Sequence, residues 1–220
     1  MRAFELITEE IPPLVHSDSG EKALKWMDEF RVTHLPVLKN GNFVGLVSES
    51  DILDQPDPSQ SLDHLFQHLP RPFVFADVHL FEVLQLIANY KLSVVPVLDR
   101  QENYLGATTV FELMSRIASA TSMNEPGAIL VLEVNVVDYS LAQIAQIVES
   151  NNARILSVFC GALSDSTKLD VTLKINQLDL SAIIRTFERY DYQVKARFQD
   201  NAETDDLKTR YDELMHYLSM

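Results

Sequence analysis

The chain of 220 residues has one cysteine, Cys160, which excludes a disulfide within the chain and any multi-cysteine zinc site and fits a reducing compartment. Its six glycines leave little room for a dinucleotide fold, and no glycine-rich phosphate loop occurs. Lys and Arg number 18 against 32 Asp and Glu, a formal charge of −14, and no basic cluster stands out. Phosphate backbones need such clusters, so nucleic acid is not an expected partner, and any anionic small ligand would have to be held by local donors. No apolar run approaches the roughly 20 residues of a membrane helix, and the opening "MRAFELITEE" has neither a basic leader nor an apolar stretch, so a cytoplasmic protein with no membrane partner is expected. There is no H-E-x-x-H and no nucleophile elbow. His64 and His68 stand at i and i+4 without a third ligand and read as surface residues of a short helix; Cys160, beside Phe159, reads as a small core residue. No metal site and no catalytic constellation is visible, so the chain is not expected to be an enzyme.

What the chain does have is a repeat. "ALKWMDEFRVTHLPVL" (23–38) aligns with "VLQLIANYKLSVVPVL" (83–98) at a constant offset of 60, and after one extra residue in the second turn Gly45 meets Gly106. In each copy a segment with helical apolar spacing (Ala23, Leu24, Met27, Phe30; Val83, Leu86, Ile87, Tyr90) precedes two β-type runs joined by "KNGN" or "DRQEN". A helix then opens at Ser48 or Thr109. Each copy is thus an α/β unit of helix, hairpin and closing helix. So small a unit buries its apolar face poorly alone, which predicts two copies packed by pseudo-twofold symmetry and joined through "DQPDPSQS" (54–61).

Ser48-x-x-Asp51 and Thr109-x-x-Glu112 are helix-start sequences in which hydroxyl and carboxylate can satisfy each other's backbone N–H, a role that needs no ligand. Glu112, one methylene longer than Asp51, is the better partner for such a capping box. Both copies also resemble the cystathionine-β-synthase (CBS) motif, in "LPVL…GLVSESDIL" and "VPVL…GATTVFELM"; two in tandem look like a Bateman module. That resemblance implies an adenosine-type regulatory ligand, AMP, ADP, ATP or an S-adenosyl compound, in clefts between the copies. It assigns the ribose to Asp51, with Ser48 facing sugar and phosphate. Adenine walls would come from Val15 and Thr33, His34 and Pro36 in one copy, and from Phe75, Ser93, Val94 and Pro96 in the other. Thr109 and Glu112 mark the second site, where Glu departs from the family's Asp. His34, Lys22, Arg71 and Lys91 are candidate phosphate partners without a motif position.

After "SRIASATSMNEPG" (115–127) the rhythm changes to βαββαβ, a ferredoxin-like plait. Leu141, Ile144, Ile147 and Val148 share one face of its first predicted helix. In Leu169, Val171, Leu173 and Ile175 apolar residues alternate with polar ones, as in a sheet with one face on helices. The segment resembles an ACT domain, whose members often bind amino acids at the first strand–helix turn. Here "VVDYSLAQI" has neither the Pro nor the Gly of that turn, so Asp138 and Ser140 read as helix caps and the domain as a pairing element. In "AETDDLKTRYDELMHYLSM", Leu207, Tyr211, Leu214, Met215 and Leu218 lie on one helical face, read as packing back on the chain itself, with docking on a second subunit or a partner as the alternative.

The expected architecture is α/β (α+β): a first CBS repeat at 1–58, a second at 59–122, an ACT-like domain at 126–200 and a C-terminal helix at 201–220. The expected function is that of a non-catalytic regulatory homodimer signalling an adenosine-type ligand to an unidentified regulated protein. A ligand-free interaction module and an amino-acid sensor working through the plait are the alternatives.

Overall fold

The computed structural model describes residues 1–65, 68–162 and 167–199. It divides into two compact units, one ending at Ile117 and one beginning at Ala118.

In the first unit the sequence repeat is a repeat in space. The first copy runs β1 (Leu14–Val15), α1 (Gly20–Phe30), β2 (His34–Lys39), β3 (Asn42–Ser48) and α2 (Glu49–Leu53). The second runs β4 (Val74–Phe75), α3 (Leu80–Tyr90), β5 (Val94–Leu98), β6 (Tyr104–Thr109) and α4 (Val110–Ala120). Strands β2 and β3 pair antiparallel, as do β5 and β6, and both hairpins carry a register shift at the same place, Val37/Leu38 and Val97/Leu98. Strands β1 and β4 add parallel to β2 and β5. Two residues cannot display a period, so these short strands leave no pattern in the sequence. Helix α1 starts where the Ser19 hydroxyl accepts from the Lys22 N–H and ends at Arg31 in the left-handed region (φ 56°); α3 ends the same way at Lys91 (φ 53°).

The copies hold each other through the segments that lead into them. A 3-10 turn, Ala3–Leu6, precedes the first copy but packs on the second: the Ala3 N–H donates to Val78 O (2.9 Å), the Phe4 N–H to Ala76 O (3.0 Å) and the Thr8 N–H to Ala107 O (2.9 Å). Ala3 and Leu6 are buried there with Val83, Val95 and Val97. The 3-10 turn Leu62–His64 reverses the arrangement, preceding the second copy and packing on the first. The Leu62 N–H donates to Asp18 O (2.9 Å), the Gly20 N–H to Gln60 O (3.2 Å), and Leu62 is buried with Leu14, Val37 and Ile52. His64 closes this turn and His68 lies beyond it, both exposed; residues 66 and 67 of the short helix expected to carry them lie outside the described residues.

This exchange gives the aligned glycines their role. A Cβ on Gly45 would lie 2.5 Å from Leu69 Cβ, on the lead-in to the second copy. One on Gly106, whose φ is 151°, would lie 2.5 Å from Ile7 Cγ2, on the lead-in to the first. Each glycine lets the other copy's lead-in lie against the strand.

The second unit runs β7 (Ala128–Asn135), α5 (Leu141–Ser150), β8 (Ile155–Ala162), β9 (Lys168–Ile175), α6 (Ser181–Arg189) and β10 (Gln193–Phe198). Its sheet is antiparallel in the order β10-β7-β9-β8, the ferredoxin-like plait. Leu130, Leu132, Val171 and Leu173 are buried in one core with Ile144, Ile147, Ile183 and Phe187 from the two helices. Two local expectations are corrected. Cys160 is exposed, because β8 is an edge strand; its thiol meets the Tyr139 hydroxyl, at 3.3 Å. Leu141 shares the face of Ile144 and Val148 but, at the first position of α5, is exposed. Ser140 caps α5, accepting from the Gln143 N–H (3.3 Å), but Asp138 does not; it closes a 3-10 turn and accepts from Asn135 Nδ2 (2.8 Å). The helix expected at 201–220 lies outside the described residues.

Adding a methyl at either motif glycine therefore drives a wedge between the copies. Gly45→Ala and Gly106→Ala should each lower stability by about 1–3 kcal/mol, the range for overpacking, and Gly106→Ala more because its backbone is also strained. Urea unfolding followed by circular dichroism measures this. Midpoints equal to the parent's would mean that neither lead-in presses on its glycine.

Candidate functional site

The two copies meet at equivalent residues. The Thr33 N–H donates to Ser93 Oγ (2.9 Å), and the two hydroxyls lie 3.3 Å apart. The His34 ring sits over the same junction, its Nδ1 3.0 Å from Thr33 Oγ1 and 3.1 Å from Ser93 Oγ. The Ser93 N–H donates to that nitrogen (3.3 Å), so Nδ1 is an acceptor and the neutral ring carries its proton on Nε2. Burial lowers the His34 pKa from its ordinary value, against the opposing pull of the Asp51 carboxylate.

Register places His34 opposite Ser48, at the start of α2. The Ser48 N–H (2.8 Å) and hydroxyl (2.6 Å) both donate to Asp51 Oδ2, and Ser48 Oγ accepts from the Asp51 N–H (3.1 Å). The capping box closes on one carboxylate oxygen, leaving Oδ1 without a partner among the described residues.

The second copy keeps this register and the cap hydroxyl but differs in two side chains. Val94, fully buried, occupies the place of His34 and faces Thr109. The Thr109 hydroxyl accepts from the Glu112 N–H (3.1 Å), but the Glu112 carboxylate turns to Arg116 Nε (2.6 Å), one turn further on. This reverses the expected order of the two caps: Asp51 closes a box and Glu112 does not. The charge-assisted i,i+4 partner decides it, since the aligned residue in the first copy is the uncharged Gln55, whose side chain donates to Asp51 O (3.0 Å).

Beside Thr109 a cavity of about 610 Å³ opens, with Ile11, Phe30, Val32 and Phe111 as its apolar walls and Ser93, Thr109 and Arg31 among its polar groups. Arg31 was not among the expected site residues. It is the counterpart of Lys91 at the offset of 60, so the repeat held the signal.

The expected residues fall into two groups. Thr33, His34, Ser48, Asp51 and Ser93 come together; Pro36 and Pro96 are buried in the middle of β2 and β5. Val15 pairs with Leu38 and Phe75 with Leu98, at the far ends of those strands. That is about 13 Å along the strand from His34 and Val94. Phe75 stacks its face under the Arg100 guanidinium instead, 4.4 Å from the ring centre. Of the proposed cations, Lys22 pairs with Asp18 (2.7 Å) and Arg71 donates to Phe43 O (3.2 Å), while Lys91 is exposed.

In the second unit a cavity of about 270 Å³ lies at the β7–α5 turn, lined by Asn135, Asp138, Gln143 and Tyr192. The Tyr192 hydroxyl donates to Gln143 Oε1 (2.8 Å), and burial together with the Asp138 charge raises its pKa. Among the described residues no group of three or more His, Cys, Asp or Glu could hold a metal ion, and no helix is long and apolar enough to cross a membrane.

A paired α/β hairpin unit with an S/T-x-x-D/E cap is the CBS-domain arrangement, and residues 3–56 and 67–119 each match the CBS domain family. The first unit is thus built from a tandem pair of CBS domains. An uncharacterized protein of Methanocaldococcus jannaschii is 20% identical over 122 residues, 55% of this chain and 46% of that one, so the match spans about half of the relative's length. A CBS domain pair/ACT domain protein of Thermotoga maritima is 23% identical, with a TM-score of 0.49, covering 55% of this chain and 98% of the other. The CBS domain of a bacterial CNNM/CorC family Mg2+ transporter in complex with ATP is 17% identical, with a TM-score of 0.44, covering 54% and 87%.

The lowered His34 pKa makes stability depend on pH. The folded state favours the neutral ring, so this contribution is complete above about pH 6.5, the unfolded value, and is lost as pH falls through the folded pKa. An NMR titration should place the His34 midpoint below 6.5. His34→Val, copying Val94, should lose less stability than the parent between about pH 7.5 and 5.5. An equal loss in both proteins would assign the acid sensitivity elsewhere.

Proposed function

We propose that the chain is a non-catalytic, cytoplasmic regulatory protein whose CBS pair binds an adenosine-type ligand, AMP, ADP, ATP or an S-adenosyl compound. The observation that carries this reading is the cap of the first copy. Asp51 completes its box with Oδ2 alone, which leaves Oδ1 to accept from ribose hydroxyls, and the neighbouring His34 Nε2–H is a donor with no protein partner among the described residues. Thr33 and Ser93 supply hydroxyls from both copies, so the same ligand touches each. The cleft at Thr109 is the second site of the pair. Its apolar walls suit a base and Arg31 suits a phosphate, while Glu112, held by Arg116, is less free to take a ribose than Asp51.

The protein acts as a homodimer in this reading. Phe81 and Leu84 on α3 and Phe111 and Met114 on α4 are exposed, whereas the first copy has Glu21 in place of Phe81 and Ser50 in place of Phe111. Leu53, the counterpart of Met114, is exposed too, but the larger apolar surface is on the second copy and is suited to symmetric pairing. Light scattering should give twice the 25.0 kDa chain mass, and Phe81→Glu should return it to the single mass. A parent protein that stays at the single mass at every concentration would remove the dimer.

A second reading has its own observation, the cavity at the β7–α5 turn, where Asp138 could meet the ammonium of an amino acid. Thermal-shift titration with adenosine compounds and amino acids separates the two, since a ligand at 100 times its Kd stabilises by about 2.7 kcal/mol. Adenosine compounds should shift the parent, Asp51→Ala should abolish the shift with the fold intact, and Glu112→Ala should weaken it less. Equal affinity of the parent and Asp51→Ala in calorimetry rejects the ribose role. A response to amino acids alone, lost in Asp138→Ala, moves the function to the second unit.

A further inference from the structure

The cleft beside Thr109 carries an unbalanced charge. Glu10 and Glu29 line it against the single cation Arg31, and the Arg31 guanidinium already has the Asp28 carboxylate at 3.4 Å. The repeat shows that these acids are not demanded by the scaffold. Helices α1 and α3 have equal length and end alike, in Arg31 and Lys91 with φ of 56° and 53°, but Asn89 stands where α1 has Glu29. The lead-ins differ as well. Thr8 and Pro70 hold equivalent places, each bonded to the residue after the opposite copy's motif glycine, and β1 and β4 begin at Leu14 and Val74. Five residues, Glu9 and Glu10 among them, separate Thr8 from Leu14, whereas three, with Arg71 and no acid, separate Pro70 from Val74. The longer first lead-in thus brings Glu10 to the Thr109 cleft. The first cap has an acid of its own, Glu49 in the place of Val110, but neither of these two.

We propose that Glu10 and Glu29 make the Thr109 cleft selective for a nucleoside monophosphate over the di- and triphosphate, an inference that rests on the adenosine reading of this cleft. One phosphate has Arg31 to meet. Each further phosphate adds negative charge with no second cation among the described lining residues to offset it, and the two carboxylates repel it. The hydroxyls of Ser93 and Thr109 and the apolar walls Ile11, Phe30 and Phe111 carry no charge with which to count phosphates, so the acids set the preference. Glu10 and Glu29 are exposed, so added salt screens the repulsion and narrows the preference.

The chain carries its own reporter. Trp26, its one tryptophan, packs edge-on against Phe30 in the cleft wall, with ring centres 6.3 Å apart, so the indole N–H signal in NMR follows occupancy of this cleft. Titrations of the full chain with AMP and with ATP, both free of divalent cations, should give at that signal an affinity for AMP at least about tenfold the higher at low salt. The double variant Glu10→Gln, Glu29→Gln should raise ATP affinity there about fivefold or more while leaving that for adenosine unchanged. Equal AMP and ATP affinities in the parent would overturn the proposal, as would an AMP-to-ATP ratio that the double variant leaves as it was. A thermal shift by AMP with the Trp26 signal unmoved would place the ligand outside this cleft, which overturns the proposal and leaves the adenosine reading of the first cap standing. No response to AMP in either measurement would remove that reading and the proposal with it.

Discussion

The first unit depends on one constraint: neither CBS copy can cover its own sheet and helices, so each is closed by the segment that leads into the other. Leu6 completes the core of the second copy and Leu62 that of the first. The clusters are shared in the other direction as well, with Val94 and Ala107 in the first and Leu46 in the second. Removing one copy would therefore strip the other of its lead-in and open both cores. The close passage that this exchange demands is what places glycine at 45 and 106, where any side chain would strike Leu69 or Ile7.

Symmetry of the backbone leaves the chemistry free to diverge. At the junction the paired hydroxyls of Thr33 and Ser93 are equivalent, but His34 stands on one side and the buried Val94 on the other. The caps diverge likewise, because Arg116 withdraws the Glu112 carboxylate from the backbone while Asp51, with no cation at Gln55, closes on Ser48. The two caps thus offer different charges: a carboxylate oxygen without a partner among the described residues beside a neutral imidazole at one, an ion-paired carboxylate beside an apolar wall at the other. A single ligand would meet them with different affinity, since a buried polar group rewards only the partner that satisfies it.

Much of this was legible in the sequence because it is written twice. The offset of 60 located the hairpins, the helices and the aligned glycines, and alternation in 169–175 located the plait's buried face. What escaped was non-local. Nothing near Gly45 says that Leu69 will lie on it, and two residues at Leu14–Val15 are too few to show a strand. The cap sequences showed which groups could pair, but the choice between Glu112's own cap and Arg116 rests on competition that spacing alone does not settle. Cys160 was misread because strand periodicity does not reveal an edge strand, where both faces meet solvent more readily. Val15 and Phe75 were carried over by family likeness, and register sets both about four residues along the strand from the caps.

The position of the caps relative to the exchanged segments would connect a ligand bound at them, as proposed, to the packing of the pair. Ser48 stands three residues after Gly45 and two after Leu46, whose N–H donates to Pro70 O (2.9 Å) on the second copy's lead-in. Thr109 stands three after Gly106 and two after Ala107, whose carbonyl accepts from the Thr8 N–H (2.9 Å) on the first copy's lead-in. In both cases one short strand carries the cap at its end and the partner's lead-in on its middle. A shift of that strand on ligand binding would be felt first by the other copy. The energy for it can come only from a difference in affinity between two arrangements of the pair. Because Asp51 already spends Oδ2 on the cap, a ligand held by Oδ1 alone would leave the strand end in place, whereas one that drew Oδ2 away would release the Ser48 N–H and loosen the strand that grips Leu69. Under the proposed function, the division of labour between two oxygens of one carboxylate would then set whether binding is silent or transmitted.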